Sequence, residues 1–202
     1  MEVERLAREY PVDIRWAPFL LDPTVPPEGR PREGYTKPGD PPTALELRGQ
    51  SGGLVFNRGR TFQPNSHRSL ELAAYAHEQG RDSSDFHRAL FRAHFETLEN
   101  IGELEVLVRV AGEHGLDPAA ARAAIEQGVY REQVDQELAW AAQLGITAVP
   151  TFVFAERYAI VGAQEYPAFQ RVMERLGYPP PAGAEPPPAG FRLTFGDEVS
   201  DR

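Results

Sequence analysis

Chemistry in this sequence has to be sought at serine, histidine and proline, because none of its 202 residues is cysteine. Disulfides, thiolate nucleophiles, zinc–cysteine sites and iron–sulfur clusters supplied by these residues are excluded. The first candidate is Gly49-Gln50-Ser51-Gly52-Gly53, which matches the Gly-x-Ser-x-Gly pattern of a nucleophilic serine on a sharp strand-to-helix turn. Its surroundings do not suit that role. A Pro-rich stretch precedes it and Leu54-Val55-Phe56 follows, so it reads as a flexible glycine loop. The five histidines, His67, His77, His87, His94 and His114, all fall on expected helices. His87 and His94 stand two turns apart on one face, the spacing of a metal pair, but no His-Glu-x-x-His pattern or cysteine accompanies them. They read as solvated helix positions, and no metal site is assigned. Glu96, Glu99, Glu103 and Glu105 read as a solvated helix surface, Trp16 and Phe19 as core at a strand end, and no phosphate-cradling glycine loop is recognisable.

The charge balance narrows the partners. Twenty-one Lys and Arg against 30 Asp and Glu leave a formal charge of −9, which repels a phosphate backbone unless basic residues are segregated. The arginines between residues 48 and 60 are the nearest to such a patch, with only Phe56 and Phe62 for stacking, so nucleic acid is not an expected partner. No apolar run approaches the ~20 residues that span a bilayer, and residues 1–10 are charged where a signal peptide would be apolar. The expectation is a cytoplasmic protein that does not engage a membrane. At this length, with 41% hydrophobic residues, one compact domain is expected.

Positioning of the candidate residues follows from local pattern. Val3, Leu6, Ala7 and Tyr10 have helical spacing, ended by Pro11; Val12, Ile14 and Trp16 then alternate with Asp13 and Arg15, the period of a half-buried strand over residues 12–19. Residues 22–53 are crowded with Pro and Gly and read as a long surface connection with at most short regular pieces. Helices are expected over residues 66–79, 84–96, 102–114, 118–127 and 129–144, introduced by caps such as Asn65, Ser83 and Asp117 and closed by glycines. Residues 150–154 and 158–161 suggest a hairpin turning at Glu156-Arg157, followed by a helix over 166–176. Residues 179–190 form a Pro-, Ala- and Gly-rich linker, and Phe191-Arg192-Leu193-Thr194-Phe195 alternates like a strand.

The run Gly145-Ile146-Thr147-Ala148-Val149-Pro150-Thr151-Phe152-Val153-Phe154 resembles the cis-proline loop of DsbA-like proteins of the thioredoxin superfamily, where a helix enters a core strand through Val-Pro-Thr-Phe. Tyr158-Ala159-Ile160-Val161-Gly162-Ala163-Gln164 is similar to the second hairpin strand of the FrnE branch. Val12-Asp13-Ile14-Arg15-Trp16-Ala17-Pro18-Phe19 resembles the family's second strand. Asn65-Ser66, Ile101-Gly102 and Gly115-Leu116-Asp117 fall where the family has its inserted helices. The resemblance covers residues 1–178.

It implies an α/β fold: a thioredoxin-like core from residues 1–64 and 145–178, an all-helical insertion over 65–144, and a linker and tail over 179–202. The implied activity is thiol–disulfide oxidoreductase or disulfide isomerase, and no cofactor comes with it. Ala148, Val149 and Pro150 are the implied substrate-binding residues, with the Val149–Pro150 bond cis, the Val149 backbone pairing with an extended or unfolded polypeptide, and a groove beside the helical block. No catalytic residue is assigned, because the family's first strand and Cys-Pro-x-Cys segment are absent from the sequence and disulfide exchange by these residues has no nucleophile. A glutathione-dependent isomerase or kappa-transferase-like protein, with glutathione as partner, and a non-catalytic peptide binder are the alternatives. Loss of the first strand would leave the edges of residues 12–19 and 151–155 unpaired, at about 1–3 kcal/mol for each buried peptide group. Residues 191–195 are a candidate filler of that slot, and a frayed C-terminal tail after the Pro-rich linker is the favoured alternative.

Overall fold

In the computed structural model, which describes residues 2–34, 39–81, 83–179 and 181, the elements in chain order begin with α1 (Glu2–Glu9), β1 (Arg30–Pro31), α2 (Ala44–Ser51) and β2 (Phe62–Gln63). They continue with α3 (His67–Glu78), α4 (Ser84–Phe91) prolonged by a π-helical turn Arg92–Glu96, α5 (Leu104–Glu113), α6 (Pro118–Glu126) and α7 (Arg131–Gln143). The hairpin β3 (Thr151–Phe154) and β4 (Tyr158–Val161) and the helix α8 (Tyr166–Arg175) close the order. The chain divides into two compact units, Met1–Ala17 with Leu144–Arg202, and Pro18–Gln143.

In the first unit, β3 and β4 pair antiparallel with Phe152 opposite Ile160 and Phe154 opposite Tyr158. Strand alternation puts these four side chains on one face, and that face packs on α8 and α1. Phe169 of α8 is the pivot, 1% exposed, with its ring 4.9 Å from Phe152 and 6.1 Å from Phe154. From α1, Leu6 and Tyr10 join the same cluster. Burying such side chains stabilises by about 1.5–3 kcal/mol each. A polar clasp adds to it: Tyr166 donates its hydroxyl to Glu9 at 2.7 Å, Arg5 binds Glu9 at 2.7 Å, and the Arg5 guanidinium lies 3.9 Å over the Tyr166 ring.

The second unit is built from α2–α7 around Leu72, Phe86, Leu107 and Val110, all nearly inaccessible. Its helices start where the caps predict: Ser83 accepts from the Phe86 N–H and Asp117 from those of Ala119 and Ala120. His67 ties α3 to α7, with Nδ1 2.9 Å from Glu71 and Nε2 2.9 Å from Asp135. Residues 18–64, expected with the thioredoxin core, belong to this unit. Asn65 donates to the Val25 carbonyl at 2.7 Å and the Asn57 N–H donates to the Phe95 carbonyl at 2.9 Å, which fastens the long connection to the helices.

Two expectations are corrected. Residues 12–19 form no strand, although their alternation is that of one. A strand needs a ladder partner for its backbone groups, and among the described residues none pairs with this segment; Trp16 is 40% exposed. The glycine-rich run is not a flexible loop. Gly49, Gln50 and Ser51 are the last turn of α2, whose start carries a capping box between Thr43 and Glu46. Residues 191–195 lie outside the described residues.

Candidate polypeptide-docking loop

The expected site residues lie together between α7 and β3. Ala148 is half-buried, and Val149 and Pro150 are exposed, Val149 at 49%. The Val149–Pro150 peptide bond is cis. Thr151 donates its hydroxyl to the Ala148 carbonyl at 2.7 Å, and the Gly162 N–H donates to the Pro150 carbonyl at 2.8 Å, so the loop is fixed to β3 on one side and β4 on the other.

That last bond sets the backbone directions along β3. Antiparallel pairs alternate between hydrogen-bonded and non-bonded. With Pro150 and Gly162 a bonded pair, Phe152 and Ile160 are the next, and the N–H and C=O groups of Thr151 and Val153 point away from β4. Among the described residues no strand meets them. The loop therefore leads into a sheet edge with free donors and acceptors, the geometry that accepts an added extended strand.

The other candidates of the sequence do not form sites. Ser51 donates its hydroxyl to the Arg48 carbonyl at 2.8 Å, following a helix rather than opening one. Gly49 has a packing reason: a Cβ there would stand 2.2 Å from the Phe56 ring. His94 is not paired with His87. Its Nε2 lies 2.5 Å from Arg60 Nη1, and a second Arg60 nitrogen donates to the His94 carbonyl. Burial, then the charges of Arg60 and Arg32, push the His94 imidazole down to about 4, so it is neutral near pH 7. Among the described residues no group of three or more His, Asp or Glu is arranged to hold a metal ion, and no helix is long and apolar enough to cross a membrane. A shallow cleft of about 270 Å³ in the helical unit is lined by Arg68, Asn100, Glu103 and Glu105, with no convergent reactive set.

Sequence reasoning missed the Arg60–His94 contact, whose partners are 34 residues apart. It also missed which backbone groups of β3 stay open, a property of register that the Gly162–Pro150 bond alone reveals.

Residues 1–174 match the family model of the DSBA-like thioredoxin domain. The chain belongs to that family. This DSBA-like chain is 28% identical over 164 residues to the uncharacterized protein YwbO of Bacillus subtilis (strain 168), covering 80% of this chain and 81% of that protein. It is also similar to the crystal structure of the probable DsbA oxidoreductase SCO1869 from Streptomyces coelicolor, with 27% identity and a TM-score of 0.59 over 70% of this chain. The DSBA-like chain spans 61% of that structure's chain. The fold is thus the DSBA-like thioredoxin fold, with helices beside a small sheet, and the family is one of thiol–disulfide oxidoreductases.

Proposed function

We propose that this chain serves protein thiol–disulfide chemistry by docking an extended polypeptide at residues 148–150 and along β3, without supplying a thiol from its own 202 residues. The open edge carries the proposal: Thr151 and Val153 direct both backbone polar groups outward beside an exposed Val149. Main-chain hydrogen bonds at such an edge bind polypeptide with little regard to sequence, as suits a protein acting on many unfolded clients. Within the family, the Gly162-Ala163-Gln164 ending of the hairpin supports the FrnE branch; there Gly162 has φ +81° and Gln164 donates to the Val161 carbonyl at 3.1 Å.

The test pairs a binding assay with an activity assay on the full chain. A reduced, carboxymethylated polypeptide should bind saturably, and Val153→Pro, which removes one outward N–H while leaving the β4 ladder intact, should weaken binding about tenfold, the worth of one hydrogen bond. Reduction of insulin disulfides by dithiothreitol should proceed at the same rate with and without the protein. Absence of binding, or equal binding by Val153→Pro, refutes the docking assignment; accelerated reduction refutes the account of the thiol.

A further inference from the structure

Arg5 lies against Glu9, Arg30 against Asp22, Arg58 against Glu46 and Arg109 against Glu99, each at 2.7 Å or less. Arg60 is held differently. Its Nη1 donates to Nε2 of His94 at 2.5 Å and its Nη2 to the His94 carbonyl, so a neutral ring and a peptide oxygen stand where the other arginines have an acid. Among the described residues no carboxylate pairs with Arg60, and the charge that acts on it is another positive one, that of Arg32.

Arg32 is placed there by the β1–β2 pair: its N–H donates to the carbonyl of Thr61, the neighbour of Arg60, at 2.8 Å. Burial and the Arg32 charge lower Arg60, and burial with both guanidinium charges holds His94 down to about 4. Two guanidiniums thus repel each other in a chain whose formal charge is −9, where acids to separate them are plentiful. The carbonyl end of the π-helical turn Arg92–Glu96 offsets about half a charge and leaves the larger part uncompensated.

The geometry of the guanidinium shows what is missing. It carries five N–H bonds in a rigid fork. The end with both Nη atoms is turned to His94, which leaves the other edge, Nε–H with the Nη–H parallel to it, as an unspent pair. Nε of Arg60 and Nδ1 of His94 are both shielded from solvent without an acceptor, and Nδ1 bears the ring proton because Nε2 accepts. The two residues as wholes are only half-buried, so the pair lies near the surface of the helical unit. The Phe95 ring walls it, 5.2 Å from the Arg60 Cζ, with the Phe56 ring 4.8 Å beyond. A water molecule satisfies such a donor without offsetting the charge, whereas an oxyanion does both.

We propose that the Nε edge of Arg60, with His94 and Arg32 beside it, is a binding site for a small oxyanion, a phosphate monoester or a carboxylate held by two parallel N–H bonds. The net charge of the chain repels polyanions, so the ligand carries a single anionic group, and the Phe95 and Phe56 rings suit an apolar body attached to it. The site lies wholly within Pro18–Gln143 and does not rest on the docking reading given above.

Nitrogen-15 NMR of the arginine side chains in the full chain reads the site directly. The protein is titrated with inorganic phosphate, and separately with acetate, at an ionic strength held constant with chloride. The Arg60 Nε–H should shift saturably, at concentrations about tenfold or more below any shift of Arg109, whose guanidinium is already shared by Glu99 and Glu113. Saturation by phosphate alone assigns the site to phosphate esters, by acetate alone to carboxylates, and by both to oxyanions of either kind. Arg60→Lys keeps the charge and loses the fork, and should weaken binding about tenfold or more, read from the phosphorus-31 or acetate line width. Arg32→Gln leaves the fork and its His94 contact in place and should weaken binding severalfold, which carries the test if Arg60→Lys does not fold. An Arg60 signal that ignores both anions, or moves in step with that of Arg109, overturns the proposal, as does unchanged affinity in either folded variant.

Discussion

Lowering the pH from about 7.5 to about 5 should weaken the fold through one imidazole, that of His94. The ring accepts from Arg60 through Nε2 at 2.5 Å, so its proton sits on Nδ1, which is buried without a partner. A second proton would have to occupy Nε2 against the guanidinium of Arg60, with Arg32 adding repulsion. The imidazole, ordinarily near 6.5, is held down to about 4, so between these values the unfolded chain binds a proton that the folded one refuses. Stability from this site is therefore complete above pH 6.5 and falls as the pH drops toward 4. At about 1.4 kcal/mol per pH unit, the loss by pH 5 is about 2 kcal/mol. The lowered carboxylates Glu9, Asp22, Glu46, Glu99 and Glu105 act in the same direction, but below their ordinary values of 4.5 for glutamate and 3.8 for aspartate, which is why the comparison stops at pH 5. Urea unfolding at the two pH values, for the natural protein and for His94→Gln, isolates the effect. Glutamine keeps an acceptor for Arg60 and cannot be protonated, so the natural protein should lose about 2 kcal/mol more than the variant. An equal loss in both refutes the reasoning, since every other titrating group cancels in the difference.

Phe169→Ala should destabilise the sheet-bearing unit by about 3–5 kcal/mol, read from denaturant unfolding, because the ring is 1% exposed and touches Phe152, Phe154 and Tyr166. A loss below about 1 kcal/mol contradicts its place as pivot. Gly29→Ala should cost about 1–3 kcal/mol: the residue has φ +78°, and a Cβ would lie 2.3 Å from the Phe62 ring and 2.8 Å from the Gln63 carbonyl oxygen. A variant within about 0.5 kcal/mol of the natural protein shows that the β1–β2 pairing yields freely.

The helices of residues 66–144 are legible in the sequence because their ends are written locally: Ser83 and Asp117 cap, and Gly115, Gly128 and Gly145 take positive φ just past the helices. The helix α2 has the same kind of signal in Thr43-x-x-Glu46, obscured by the prolines and glycines around it. Residues 12–19 show the limit of pattern reading, since alternation states which face would be buried and not whether a partner strand exists. The cis bond at Val149–Pro150 is legible through the family motif that surrounds it. The Arg60–His94 contact has no local sign, because it depends on two segments meeting; nor does the fit of Phe56 against Gly49, where a small residue matters only once the ring is placed.

The division of the chain has a consequence for its synthesis. Leu6 and Tyr10 complete their core with Phe169, Val172 and Met173, about 160 residues further on, whereas the helical unit lies in one uninterrupted stretch, Pro18–Gln143. At roughly 5–20 residues per second, α1 leaves the ribosome and waits on the order of 10 to 30 s for its partner. The helical unit, rich in short-range contacts, has ample time to form in that interval. The apolar face of α1, with Val3 and Leu6, is meanwhile a surface for a chaperone to cover on the nascent chain.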